Sequence, residues 1–138
     1  MIPTIYLGPA GDAPEFEILD EDLYPIVAMV IESKPALSDD EINSLSMFLA
    51  LDTLHLDSEA GNLVSRFADV CQRILAEELV KYHPGTLTAS DEFCWYLRPG
   101  CVGEGGVTPG VKDAAKRFLD FLAANQGNQS FERPRGEP

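Results

Sequence analysis

Three cysteines, two histidines and 23 carboxylates are the side chains of this sequence whose types could do chemistry. A thiol beside an imidazole makes a nucleophile and its base, and His83 with Cys94 or Cys101 would be that pair. No nucleophile elbow, HExxH or other signature accompanies them, and the combination arises in almost any chain holding both types. The same residues, with His55 or Cys71, could ligate zinc. Structural zinc sites bring their ligands in close pairs such as C-x-x-C, whereas six residues separate Cys94 from Cys101. Cys71 falls on the apolar face of an expected helix, where a free thiol acts as a small buried hydrophobe. Residues 100–106, GCVGEGG, precede a helix and invite comparison with a phosphate cradle. They fit neither G-x-G-x-x-G nor G-x-x-x-x-G-K-[ST], and Glu104 would repel a phosphate, so a flexible loop is expected. Carboxylate pairs for acid–base work are too numerous to single any out. No catalytic residue, metal ligand or cofactor follows from these residues.

The placement of the acids says more. Residues 1–60 hold thirteen acids and one base, Lys34, a net of −12, and residues 61–138 hold ten acids and nine bases, a net of −1. Asp20, Glu21 and Asp22 head one expected helix, and Asp39, Asp40 and Glu41 head the next. Carboxylates oppose the positive end of a helix macrodipole, so capping by itself accounts for these positions. The functional reading beside it is a basic patch on a protein partner, met by carboxylates that offer the same anionic oxygens as phosphate. The six form one acidic edge if the two helices start at the same end of the molecule, and antiparallel packing would separate them. Trp95, the only tryptophan, and Tyr96 stand between Phe93 and Arg98. Such residues dominate interface hot spots, which makes Trp95 and Tyr96 further partner-binding candidates. The plainer alternative is a cluster that pins a short element to the core.

The elements that would position these residues are mostly helical. Residues 57–84 carry the longest helical signal, with Leu63, Val64, Phe67, Val70, Cys71, Ile74, Leu75 and Leu79 at the three-and-four spacing of one face. Asp69–Arg73, Arg73–Glu77 and Glu77–Lys81 are i,i+4 pairs of opposite charge on the other face. This helix is expected to end at Pro84-Gly85, with His83 near its last carbonyls and shorter helices packed around it. Ser38-Asp39-Asp40-Glu41 spells a capping box, opening a helix that runs to about Leu54 and is buried on two sides. A short turn over His55 to Ser58 would make it an antiparallel hairpin with the long helix. Residues 26–31, IVAMVI, are apolar all round and fit a buried helix or a buried strand, with the acids before them favouring helix. Pro3, Pro9 and Pro14 make 1–18 an extended arm, with Ile2, Ile5 and Leu7 a possible edge strand and Phe16 and Ile18 another. Phe93, Trp95 and Tyr96 suit a strand as well as a helix, and the helical character of the other elements favours a short helix over Phe93 to Leu97. Thr108-Pro109 opens a last helix to about Asn125 on Val111, Ala115, Phe118, Leu119 and Leu122.

These pieces amount to a mainly α fold: one compact domain of four or five helices over residues 1–125, and a flexible tail over 126–138. At 138 residues and 45% apolar the chain can bury a real core. A net charge of −13 argues against direct binding of nucleic acid or an anionic membrane. No signal peptide and no membrane-length apolar run is legible, so a cytoplasmic setting is expected. The expected function is non-enzymatic: an acidic protein that binds a protein partner with a basic surface, as an inhibitor, an immunity protein or a phage-type blocker of a nucleic-acid-binding machine. An assembly chaperone or scaffold, and an enzyme built on His83, Cys94 and Cys101, are the alternatives.

Overall fold

A computed structural model describes residues 2–8, 13–56, 60, 62–88, 93, 96 and 105–125. The expected tail over 126–138, Trp95, Cys94 and Cys101 lie outside the described residues. Five helices and a small three-stranded sheet make up the described fold, which is mainly α with short N-terminal strands.

The arm is a strand pair. β1 (Thr4–Tyr6) runs antiparallel to β2 (Glu15–Glu17), with Ile5 opposite Phe16. A third strand, β3 (Thr53–His55), lies parallel to β1 on its other side, so β1 is central rather than an edge. The helix read as running to Leu54 stops earlier for this reason. Asp52 takes a left-handed conformation at φ 60°, which ends α2 (Asp39–Leu51) and turns the chain into the sheet. Strand alternation then buries Ile5, Phe16 and Leu54 on one face and leaves Glu15, Glu17, Tyr6 and His55 on the other.

Residues 26–31 are helical. α1 (Asp20–Glu32) is buried continuously from Asp22 to Val30, as a helix apolar all round must be. It holds the centre that the longest helical signal was expected to hold. α3 (Leu63–Leu75) buries one face, through Leu63, Phe67, Val70, Cys71 and Ile74, against α1 and α5 (Pro109–Ala124). Phe118 of α5 meets Phe67 of α3 and Phe16 of β2, which ties the sheet to the helices.

α3 is also shorter than its sequence pattern. Glu77 adopts φ 62°, the Glu78 amide donates to the Arg73 carbonyl at 2.8 Å, and the Glu77 amide donates to Ile74 at 3.1 Å. That pair of bonds is a Schellman C-cap with glutamate where glycine is usual. Beyond it the chain is extended, and Lys81 bridges Gly106. Glu77–Lys81 and Arg73–Glu77 are therefore not helical pairs. Arg73 meets Asp69 and Glu78 instead, and Glu77 meets Lys112. The end of the glycine loop is held rather than free. Gly105 accepts from the Tyr82 amide at φ 99°, where a Cβ would come within 2.9 Å of the Tyr82 carbonyl. After α3 comes one short turn of helix, α4 (Gly85–Thr88).

No α2–α3 hairpin forms, because β3 lies between the two helices and α2 packs chiefly against β3. α2 is buried on one side only. Leu45, Phe48 and Leu49 face inward, while Met47, Ala50 and Leu51 are exposed.

Candidate functional site

The capping box at the start of α2 forms as its spacing requires: Ser38 Oγ accepts from the Glu41 amide at 3.2 Å, and Glu41 Oε1 accepts from the Ser38 amide at 2.8 Å. Glu41 does more than cap. Its Oε2 accepts from Arg66 Nε at 3.0 Å and from the Asn62 amide at 2.9 Å, which joins the starts of α2 and α3. Arg66 Nη1 also donates to Ser33 Oγ and the Pro35 carbonyl, and Nη2 to the Ala36 carbonyl. Burial pushes the Glu41 carboxyl up, but the Arg66 bond, the two amides and the Arg66 charge outweigh it and hold the group below the usual glutamate range. Glu41 is thus an internal anchor and is not available to a partner.

Arg66 reaches Ser33 at the C-terminal end of α1 as well as Glu41 at the N-terminal end of α2. The first turn of α1 lies twelve residues back along the helix, roughly 18 Å away at 1.5 Å per residue. Asp20, Glu21 and Asp22 therefore stand at the opposite end of the molecule from Asp39, Asp40 and Glu41, and no single acidic edge unites them. Asp22 is itself buried. Desolvation, then Glu21, push its carboxyl above the usual aspartate range; Arg117 pulls it down and Asp113 pushes it up. A Cβ on Gly110, in the first turn of α5, would stand 2.7 Å from Asp22 Oδ1.

The exposed acids divide by half of the chain. In the second half each described acid is paired: Asp69 and Glu78 with Arg73, Glu77 with Lys112, Asp113 with Arg117 and Asp120 with Lys116. In the first half, exposed Glu15, Glu17, Glu21, Asp39 and Asp40 have no side-chain hydrogen bond or ion pair. Glu15 and Glu17 were not singled out from the sequence. Their signal was the E-F-E alternation, which turns both carboxylates outward once Phe16 is buried. Tyr96 is exposed, and its carbonyl accepts from Tyr24 Oη at 3.4 Å. The two described residues of the expected 93–97 helix, Phe93 and Tyr96, are joined by a turn in which the Tyr96 amide donates to the Phe93 carbonyl.

His83 does not cap α3, which ends eight residues before it. It lines a cleft of about 660 Å³ with Lys34 and Arg73 on the rim and Met29, Val70 and Leu79 beneath. The His83 amide, not its ring, is engaged, donating to Glu32 Oε2 at 3.0 Å, and that same oxygen accepts from Thr86 Oγ1. Cys71 is buried against α1 and α5, and burial pushes its thiol up to about 12, too high for a nucleophile at neutral pH. Among the described residues no group of three or more His, Cys, Asp or Glu side chains could hold a metal ion, and no helix is long and apolar enough to cross a membrane. The chain matches no protein-family model, and no curated protein and no solved structure matches it either.

Proposed function

We propose that the protein is a non-enzymatic binder of a protein partner with a basic surface, engaged through the exposed carboxylates of its N-terminal half. The single observation that carries this reading is the division of charge. The described acids of the second half are neutralised within the molecule, while Glu15, Glu17, Glu21, Asp39 and Asp40 are left without a counter-charge. Unpaired carboxylates cost little in water and speed the approach of a cationic partner. A partner that uses Arg and Lys to hold nucleic acid would be blocked by them, which is the action of an inhibitor or immunity protein.

The test is capture of partners at low and at raised salt, with a second bait carrying Glu15→Gln, Glu17→Gln, Glu21→Gln, Asp39→Asn and Asp40→Asn. Glu41 and Asp22 stay unchanged in that bait, because both act inside the fold. A basic partner held at low salt, and released both by salt and by neutralisation, is the expected result. A partner indifferent to both would overturn the acidic reading and favour a chaperone or scaffold that binds elsewhere.

A further inference from the structure

Four of the large apolar side chains that the fold leaves exposed gather at one end of the molecule. The β1–β2 register pairs Thr4 with Glu17, and the Ile18 amide donates to the Pro3 carbonyl. Continuing that register sets Ile2 opposite Leu19, on the outer face with Thr4 and Glu17. The Thr4 amide donates to the Asp52 carbonyl at 2.9 Å, which brings the C-terminus of α2 to the same end of the sheet. Leu51 and, one turn earlier, Met47 come with it. Leu51 is 56% exposed, Leu19 50%, Met47 49% and Ile2 45%. Native surfaces scatter such residues singly, so a group drawn from the residues flanking β1 and β2 and from the last turns of α2 marks an interaction surface.

The rim of this group is acidic. Glu17 stands in the next row of the sheet, and exposed Glu21 lies two residues past Leu19. Lys34, the one base in residues 1–60, lies beyond the far end of α1. We infer that this end of the sheet docks a segment of a protein partner that carries an apolar stripe flanked by Lys or Arg. Charge selects that occupant. A second copy, related by two-fold symmetry, would set acidic rim against acidic rim, and Arg117, which lies over the Phe16 ring beside that rim, is already paired with Asp113. An anionic lipid surface meets the same repulsion. The inference rests on the proposed binding of a basic partner and adds where that partner is gripped and why charge alone does not suffice.

The test uses the full chain and two synthetic peptides of equal length and composition. One is a helix-forming peptide with leucines on one face and lysines and arginines beside them, and the other is its scrambled isomer with no apolar face. Binding is followed by fluorescence anisotropy at fixed salt. Leu19→Ser and Leu51→Ser alter half-exposed positions, and thermal melts confirm that the fold is kept. Leu75→Ser, at an exposed position away from this end, is the control. The amphipathic peptide should bind at least tenfold tighter than its isomer, lose that margin in Leu19→Ser with Leu51→Ser, and keep it in Leu75→Ser. Equal binding of both peptides, weakened only by Glu17→Gln and Glu21→Gln, would overturn the docking surface and leave the acidic reading standing. Binding of neither would overturn both. An unaltered margin in the double serine variant, or a dimer in sedimentation that the same variant abolishes, would overturn the docking surface.

Discussion

Arg66 spends four donor contacts on Glu41, Ser33, Pro35 and Ala36, so one guanidinium holds the end of α1, the connection after it and the starts of α2 and α3. Arg66→Ala would strand the buried Glu41 carboxylate, and should cost about 3 kcal/mol in urea unfolding. Arg66→Lys should recover only part, because an ammonium cannot reproduce the planar fork. Glu41 titrates below its ordinary range in the folded chain, so the stability it contributes is complete above that range and drains as pH falls through the lowered value. Unfolding midpoints between about pH 6 and pH 3 should therefore fall less steeply in Arg66→Ala than in the parent, since glutamate titrates in that window. Asp22 has the opposite sign. Its raised folded value makes the carboxylate a burden at neutral pH, and the burden lifts as pH falls through that value. Asp22→Asn should be the more stable chain at pH 7, with the gain gone once the parent is protonated. Gly110 is coupled to the same carboxylate. Alanine would favour an open helix position by about 1 kcal/mol. Here its Cβ would press on Asp22 Oδ1 at 2.7 Å, and overpacking typically costs about 1–3 kcal/mol, so Gly110→Ala should destabilise the chain. Adding Asp22→Ala should remove most of that loss.

The boundaries of α2 and α3 show where local pattern yields to backbone geometry. The apolar spacing of α3 continues past its end, since Leu79 packs partly buried against the core from the extended segment. The stop is a left-handed residue, and glutamate does not announce one as glycine would. Glu77→Gly should relieve the left-handed strain and raise stability by about 1 kcal/mol in denaturant titration. The Lys112 contact it gives up is exposed at 3.4 Å and worth little. A loss of stability instead would mean that Glu77 is held by more than its backbone turn. At α2 the start was legible to the residue, because the capping box is a local pattern of hydrogen-bonding side chains. Its end was not. Thr53, Leu54 and His55 join the sheet through β1, nearly fifty residues earlier in the chain, and no local pattern records that pairing.

Over the whole molecule a net charge of −13 sets carboxylates against one another, and among the described residues the unpaired acids sit in the N-terminal half. Salt should therefore stabilise the fold: Tm should rise by several degrees between about 0.02 and 0.5 M NaCl as screening length shrinks. A falling Tm would mean that the exposed pairs on α3 and α5 outweigh the repulsion. The amino-acid sequence by itself determined the helical class, the caps at Ser38 and Thr108, the apolar faces of α3 and α5 and the asymmetry of charge. Each is a matter of composition or of neighbours within one turn or two. Tertiary structure alone decided that α1 rather than α3 lies at the centre, and that the two acidic helix starts stand apart. It also decided that Glu41 and Asp22 act inside the fold, and that Ile2, Leu19, Met47 and Leu51 share one end. These outcomes depend on which distant segments pair, and burial, not residue type, decides whether a carboxylate anchors the core or meets a partner.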